Sequence, residues 1–222
     1  MDSLRENGFK PALARPYILA ADCWFDFRYG TDTNKFSPLN RLDIPSRNKE
    51  HGKAYMATRI MPLRKLFRQI KASLPPKPVL LDFGCGKGRV LMIAAEFGFR
   101  AVRGVEFAPE LCVRARKNCA AFKSATGSAT EFEIIESDVV DYLIRPDENV
   151  FFFYNPFDAV VLNEVLVNIT ISLRKAPRAA LIIYCNPCLD SVIEQGGNFQ
   201  KLSDHCFWGY RLSVFKAGGE HP

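Results

Sequence analysis

Hydrophobic runs and polar breaks divide the chain into two unlike parts. Up to about residue 50, turn-forming clusters such as YGTDTNKFSPLN and DIPSRNKEHG separate scattered aromatics. That pattern predicts an irregular arm or cap over residues 1–52, with 23–29 as one helical turn or a short strand. From 53 to 74, Tyr55, Ile60, Leu63, Leu66, Phe67 and Ile70 recur at helical spacing. Proline suits a first helical turn, so Pro62 marks the expected start of the main helix there. PPKP (75–78) closes the segment.

After Pro78 the pattern becomes strand–helix alternation. VLLDFG (79–84) is a continuous apolar run that ends at glycine, and a helical stretch follows to about Phe97. AVRGVEF (101–107), EFEIIESD (131–138), NVFFFYN (149–155) and AALIIYCN (179–186) read as further strands. PELCVRARKNCAAF and VVLNEVLVNITISL fall between them as helices. Repeated βαβ units imply an α/β, doubly wound, mostly parallel sheet, because right-handed crossovers place helices on both faces. At the tail, FQKLSDHC (199–206) and YRLSVFKA (210–217) flank only FWG. Three residues cannot hold a crossover helix, so these two runs form a hairpin and put an antiparallel strand in the sheet.

Composition narrows the class. The 222 residues include 48% apolar and 24% charged side chains, ordinary proportions for a globular protein. No apolar run approaches the roughly 20 residues of a membrane helix, and the first residues lack a signal-peptide pattern. A soluble, cytoplasmic protein with no membrane partner is expected. Seven scattered cysteines, an odd number, suit reduced thiols better than a disulfide framework. Cys185 and Cys188 alone have metal or redox spacing, and they follow a late strand rather than opening an early helix, so no metal site is read from them. Residues 1–78 hold 15 Lys and Arg against 7 Asp and Glu, whereas the remainder is close to balanced. A basic front segment can meet a polyanion, but the absence of a dense basic run leaves nucleic acid as a less favoured partner.

The chemistry concentrates at strand ends. DFGCGKG (82–88) lies where the first strand turns into a helix, the place where open α/β sheets bind ligands. Its glycines alternate as G-x-G-x-G, whereas the dinucleotide fingerprint is G-x-G-x-x-G and would need glycine where Arg89 stands. Glu106 ends the second strand, where a carboxylate accepts both hydroxyls of a ribose. Asp138 ends the third and is placed to meet an adenine amino group. Acidic residues at three successive strand ends, with no phosphate-binding lysine, suit a cationic nucleoside better than an anionic dinucleotide.

VLLDFGCGKG, GVEFAPEL and the terminal hairpin together resemble class I S-adenosylmethionine-dependent methyltransferases over about residues 53–217. YGTD, HGKAY and DFGCGKGRV look like a bacterial subgroup of that superfamily with no assigned substrate, and a weaker likeness runs to the non-SET lysine methyltransferases. The resemblance implies a seven-stranded sheet in the order 3-2-1-4-5-7-6 with strand 7 antiparallel, a methyltransferase-like domain over 53–222, and a helical or irregular arm before it. It implies S-adenosylmethionine as cofactor, with Asp82, Gly84, Gly86 and Gly88 at the methionine end. Glu106 and Phe107 would then serve the ribose and adenine, Asp138 and Val139 the adenine edge, and Asn155 the neighbourhood of the methyl group.

Methyl transfer is an in-line displacement, so catalysis rests on positioning and on a neutral nucleophile. NPFD (155–158) is similar in part to the strand-4 motif of N-directed methyltransferases, although Phe157 and Asp158 replace its second proline and aromatic. Asn155 is the candidate acceptor of a substrate N–H, and Tyr154 the pocket wall. His51 has the right intrinsic pKa for a base, and Tyr55, Tyr29 and Asp32 are further candidates from the front segment. Trp24 and Trp208 read as packing groups. The expected function is methylation of a nitrogen acceptor, either a protein amine or a small molecule. The alternatives are an RNA-modifying methyltransferase that uses the basic segment, or a non-catalytic binding module on the same fold.

Overall fold

The structure is a computed structural model that describes residues 11–217, with side chains from residue 13. Seven strands form one sheet in the order β3-β2-β1-β4-β5-β7-β6. They are β1 (Val79–Phe83), β2 (Ala101–Glu106), β3 (Glu131–Glu136), β4 (Val150–Phe153), β5 (Leu181–Cys185), β6 (Phe199–Phe207) and β7 (Tyr210–Ala217). The first five pair in parallel, while β7 pairs antiparallel with both β5 and β6. Only Trp208 and Gly209 join β6 to β7, both with positive φ (53° and 88°), as a tight hairpin turn matched to strand twist demands. The expected sheet order and hairpin are therefore the ones formed.

β1, β2, β4 and β5 are buried along their whole length, which is why they read as unbroken apolar runs instead of alternating ones. Alternation survives in the direction the side chains take. Leu80 and Phe152 pack on one face, with α2 (Ile60–Gln69) and α3 (Arg89–Glu96). Leu81, Phe151 and Phe153 pack on the other, against α5 (Ala159–Lys175). Each fully buried side chain of this size adds about 1.5–3 kcal/mol, so the aromatic run of β4 joins both layers of the core. Phe83 and Phe153 stack with ring centroids 5.1 Å apart.

The front segment differs from its expectation. Residues 11–29 form one helix, α1 (Pro11–Tyr29), in place of an irregular arm with a single turn at 23–29. Its buried stripe is Ala14, Ile18, Asp22 and Phe25, and a second stripe of Leu13, Tyr17, Trp24 and Phe27 faces outward. Apolar residues on both sides blur the helical period, and Pro16 breaks it further. Trp24, read as a packing group, is 62% exposed and meets only the Phe27 ring among the aromatic contacts formed. α2 starts two residues before Pro62, the expected first position. Its first residue is Ile60, and 53–59 run without helix to the cavity described below.

α1 is fastened by charge. Asp22 is completely buried, accepts from Arg59 Nη1 at 2.8 Å and from the Ile60 N–H at 3.1 Å, and lies 3.5 Å from Arg89 Nη1. Removing one partner of a buried ion pair strands the other charge and costs roughly 3–5 kcal/mol. Asp22→Ala is therefore expected to lower unfolding stability by about 3 kcal/mol, read from the urea midpoint. A loss below about 1 kcal/mol, the range of exposed pairs, would show that the network does not hold the arm.

Candidate functional site

Strand order reverses between β1 and β4, because the chain runs outward through β2 and β3 before returning. Ligand crevices of open α/β sheets form at such a switch, and here a cavity opens beyond the carboxyl ends of these strands. The loop after β1 forms its floor. Gly86 has φ +54°, and a Cβ there would lie 2.1 Å from the Tyr55 ring. Only glycine meets both conditions. Gly84 is limited by Pro156 instead, 2.9 Å from where its Cβ would stand. Gly88 lies off the cavity wall, since it caps α3 and packs against Cys119 and Ala115 of α4 (Pro109–Thr126).

Two carboxylates line the cavity. Glu106 is buried, with Oε2 accepting from the Gly86 N–H at 2.9 Å and Oε1 from the Ala108 N–H at 3.0 Å. A carboxylate has about four lone-pair sites, and the Phe107 N–H also bonds this one, so about one site is left for a ligand. Burial raises the Glu106 pKa, and these backbone N–H groups pull it partly back. Asp82 is 2% exposed and sits well above the usual carboxylate range, through burial first and the Glu106 charge second. A buried acid on a cavity wall with a second acid nearby is stabilised by a cation.

The front segment crosses over this floor. Tyr55 lines the cavity and donates its hydroxyl to the Thr33 carbonyl at 2.7 Å, while burial pushes its pKa up. Leu39, Leu42 and Ile44 pack with Phe107, Ala108 and Leu111. Further along, Ser46 and Asn48 both donate to Asp138 Oδ2, the latter at 3.0 Å, and Asp138 Oδ1 accepts from the Val140 N–H at 3.1 Å. Asp138 and Val139 line a smaller recess that shares Gly84, Phe107 and Pro156 with the main cavity. His51 lines neither space. Its Nδ1 lies 2.7 Å from Asp158 Oδ2, and Asp158 also caps α5 through the Val160 and Val161 N–H groups. Two backbone bonds, Lys53 N–H to the Pro156 carbonyl and Asp158 N–H to the His51 carbonyl, tie the strap to the end of β4. Tyr29 and Asp32 lie outside the lining too, Tyr29 bonded to Glu96 and Asp32 facing Lys87 and Arg114.

Asn155 and Tyr154 reach the cavity from the end of β4. Asn155 takes a left-handed backbone (φ +45°), and its side-chain carbonyl accepts from Lys53 Nζ at 3.0 Å and Tyr184 Oη at 3.2 Å. Burial raises the Tyr154 pKa, so its hydroxyl keeps its proton at neutral pH. Sequence reasoning passed over Lys53, Met56, Thr58 and Asn186, which also line the cavity. Asn186 had a signal, because Asn186-Pro187 repeats the Asn155-Pro156 ending on the neighbouring strand. Arg89 likewise lines it, and a lone cation opening the apolar run RVLMIAA was the clue to a buried charge. Cys185 is buried and Cys188 exposed, and among the described residues no three His, Cys, Asp or Glu side chains gather as a metal set.

Comparison with known proteins adds three findings. A family described as a methyltransferase domain matches residues 53–205. A search of curated proteins found no match. Among solved structures, an RNA methyltransferase from Salinibacter ruber in complex with S-adenosylhomocysteine is similar with a TM-score of 0.54 at 21% identity, over 75% of this chain and 97% of that one. A Pyrococcus horikoshii protein catalogued as a candidate RNA methyltransferase gives 0.56 at 16% identity, over 83% and 94%. A second protein of that organism gives 0.54 at 16%, over 80% and 94%. Identities this low speak for the fold.

Hydrogen bonding to Asp158, with its charge second, raises the His51 pKa, and the same bond lowers that of Asp158. A raised folded-state value for histidine means that its stabilising share is complete below the unfolded pKa. That share is lost as pH rises through the folded value. NMR titration of the His51 ring should therefore give a midpoint above 6.5 in the wild type and one near 6.5 in Asp158→Asn. Equal midpoints in the two proteins would dissolve the pair as a tether.

Proposed function

The chain belongs to the methyltransferase-domain family and uses S-adenosylmethionine, and from that premise we propose that it methylates a nitrogen acceptor held beside Asn155. The observation that carries the cofactor assignment is Asp82, a buried carboxylate on a cavity wall with no donor to it among the described residues' hydrogen bonds. A cationic ligand group is what such an acid lacks. The donor set fits the cofactor. Asp82 takes the ammonium of the methionine end, beside the closely approaching backbone of Gly84 and Gly86. The spare lone pair of Glu106 takes a ribose hydroxyl. Phe107 and Val139 flank the adenine, with Asp138 at its amino edge.

When bound, the sulfonium supplies an electrophilic methyl carbon: the acceptor lone pair forms the new bond, the C–S pair returns to sulfur, and the acceptor sheds a proton. The chain's own share is to position and exclude water. Tyr55 and the 39–44 segment roof the cavity, and Tyr154 walls its far side. Asn155 orients the acceptor, because its carbonyl accepts an N–H once Lys53 gives way. Lys53 is exposed, so exchanging its ammonium contact for a substrate N–H costs little. Tyr154 stays protonated, and His51 is bound to Asp158, so a nitrogen that is already neutral suits the site better than a lysine ammonium. The division into an arm over 1–52 and a methyltransferase-like domain over 53–222 belongs to the same reading, with the arm as roof.

A second reading, RNA modification, is favoured by the positive balance of the front segment and by what two structural neighbours are named for. It requires retention on RNA that falls steeply with salt. An electrophoretic shift series across salt concentrations decides it, and no shift at the lowest salt discards it. For the cofactor site, Asp82→Asn keeps shape and removes charge. It should weaken S-adenosylhomocysteine binding by about tenfold or more, since a charge-assisted hydrogen bond contributes roughly 1.5–3 kcal/mol. Calorimetry showing wild-type affinity in that variant would remove Asp82 from the site.

A further inference from the structure

Next to the cofactor cavity lies a second one of about 310 Å³, enclosed by the start of α2, the ends of β4 and β5, and the first residues of β7. The two share Met56, Thr58, Tyr154 and Asn186 along a common wall, so a molecule in the second space lies beside the contents of the first. Its volume is at the small end of ligand pockets, which suits one small molecule rather than a polymer segment.

The two spaces differ in charge. Lys53 and Arg89 line the first together with Asp82 and Glu106, a balanced set, whereas the second is lined by Arg59 and Arg211 and by no Asp or Glu. Behind that wall the charges cancel: Asp22 and Asp26 face Arg59 and Arg89. Arg211 is exposed, makes no ion pair with a described residue, and leaves the cavity net positive. Arg59 is partly exposed, and the contact formed with Asp22 uses one of its five N–H donors. The hydroxyls of Tyr154 and Tyr210 are close enough to feel the Arg59 charge. A substrate ammonium entering here meets like charge and no carboxylate to balance it. An oxyanion meets a guanidinium whose donors match it two at a time.

Resting on the reading of the first cavity as the cofactor site, we propose that the second is the acceptor site and that it takes a small acid. The acid's carboxylate or phosphate is held by Arg59 and Arg211, and its methyl-accepting nitrogen reaches past the shared Tyr154 and Asn186 to Asn155 in the first cavity. This sets a protein amine aside and makes the acceptor a small molecule with a neutral nitrogen and an anionic handle.

Ligand-observed NMR on the full chain tests this with four probes: benzoate, phenyl phosphate, benzylamine and a short single-stranded RNA. Each is measured with and without S-adenosylhomocysteine. At least one of the two anions should bind, benzylamine should not when S-adenosylhomocysteine is present, and the stronger anion identifies carboxylate or phosphate as the handle. Arg211→Gln should weaken that anion about tenfold, equivalent to about 1.4 kcal/mol, and Arg211→Lys, which keeps the charge but loses the paired donors, should lose less than that. Both variants should bind S-adenosylhomocysteine as the wild type does. Benzylamine binding as well as either anion while S-adenosylhomocysteine fills the first cavity, anion binding unchanged by Arg211→Gln, or displacement of the anion by RNA would each overturn the proposal. Failure of the wild type to bind S-adenosylhomocysteine would instead count against the cofactor reading, because the anion arm is scored without it.

Discussion

Everything that makes a closed site here depends on one buried guanidinium. Arg89 opens α3 directly after the glycine loop and is 2% exposed. A charge so placed must be paired and hydrogen-bonded or the fold fails. Its partners all come from the front segment: Thr33 at 2.7 Å, Asn34 at 2.8 Å, the Thr58 carbonyl at 3.2 Å, and Asp22 and Asp26 within 4 Å. Without the arm Arg89 would be buried with none of these partners. That dependence makes the roof of the cavity part of the folded state.

The same logic partitions charge across the site. Asp82 and Glu106 share the cofactor-side cavity with Arg89, while Arg59 and Arg211 stand toward the β7 side without an acid in the lining. Between them run neutral groups: Thr58, Tyr154, Asn155 and Asn186. A group that changes charge during reaction meets its matched environment on one side and a neutral wall on the other. The strap then limits water, with Tyr55 resting on Gly86 and the leucines at 39 and 42 resting on Phe107.

How much of this was legible from residue order follows from where each signal is local. The central strands declared themselves because burial on both faces makes them uniformly apolar, and the hairpin because three residues cannot span a crossover. Asp82, Glu106 and Asn155 were readable because they lie at or just beyond the carboxyl ends of such strands. α1 was not readable, since Leu13, Tyr17, Trp24 and Phe27 place a second apolar stripe opposite the first. Arg59 and Arg211 were missed for another reason: they are 152 positions apart and converge only through the fold. His51 read as a candidate base, and nothing in HGKAY indicates that it pairs with Asp158.

Asparagine ends both β4 and β5 in a left-handed backbone, with φ +45° at 155 and +51° at 186, each before proline. Few residue types tolerate that geometry, chiefly glycine, asparagine and aspartate. At 155 the side chain must also accept from Tyr184 and Lys53 while its amide faces Cys188. Only one residue type satisfies both demands, so mutational drift is closed at that point of the wall. Positions 56, 59, 210 and 211 carry no such backbone restriction. Descendants of this chain that take up new acceptors must therefore change along that rim, leaving the strand ends as a fixed inheritance.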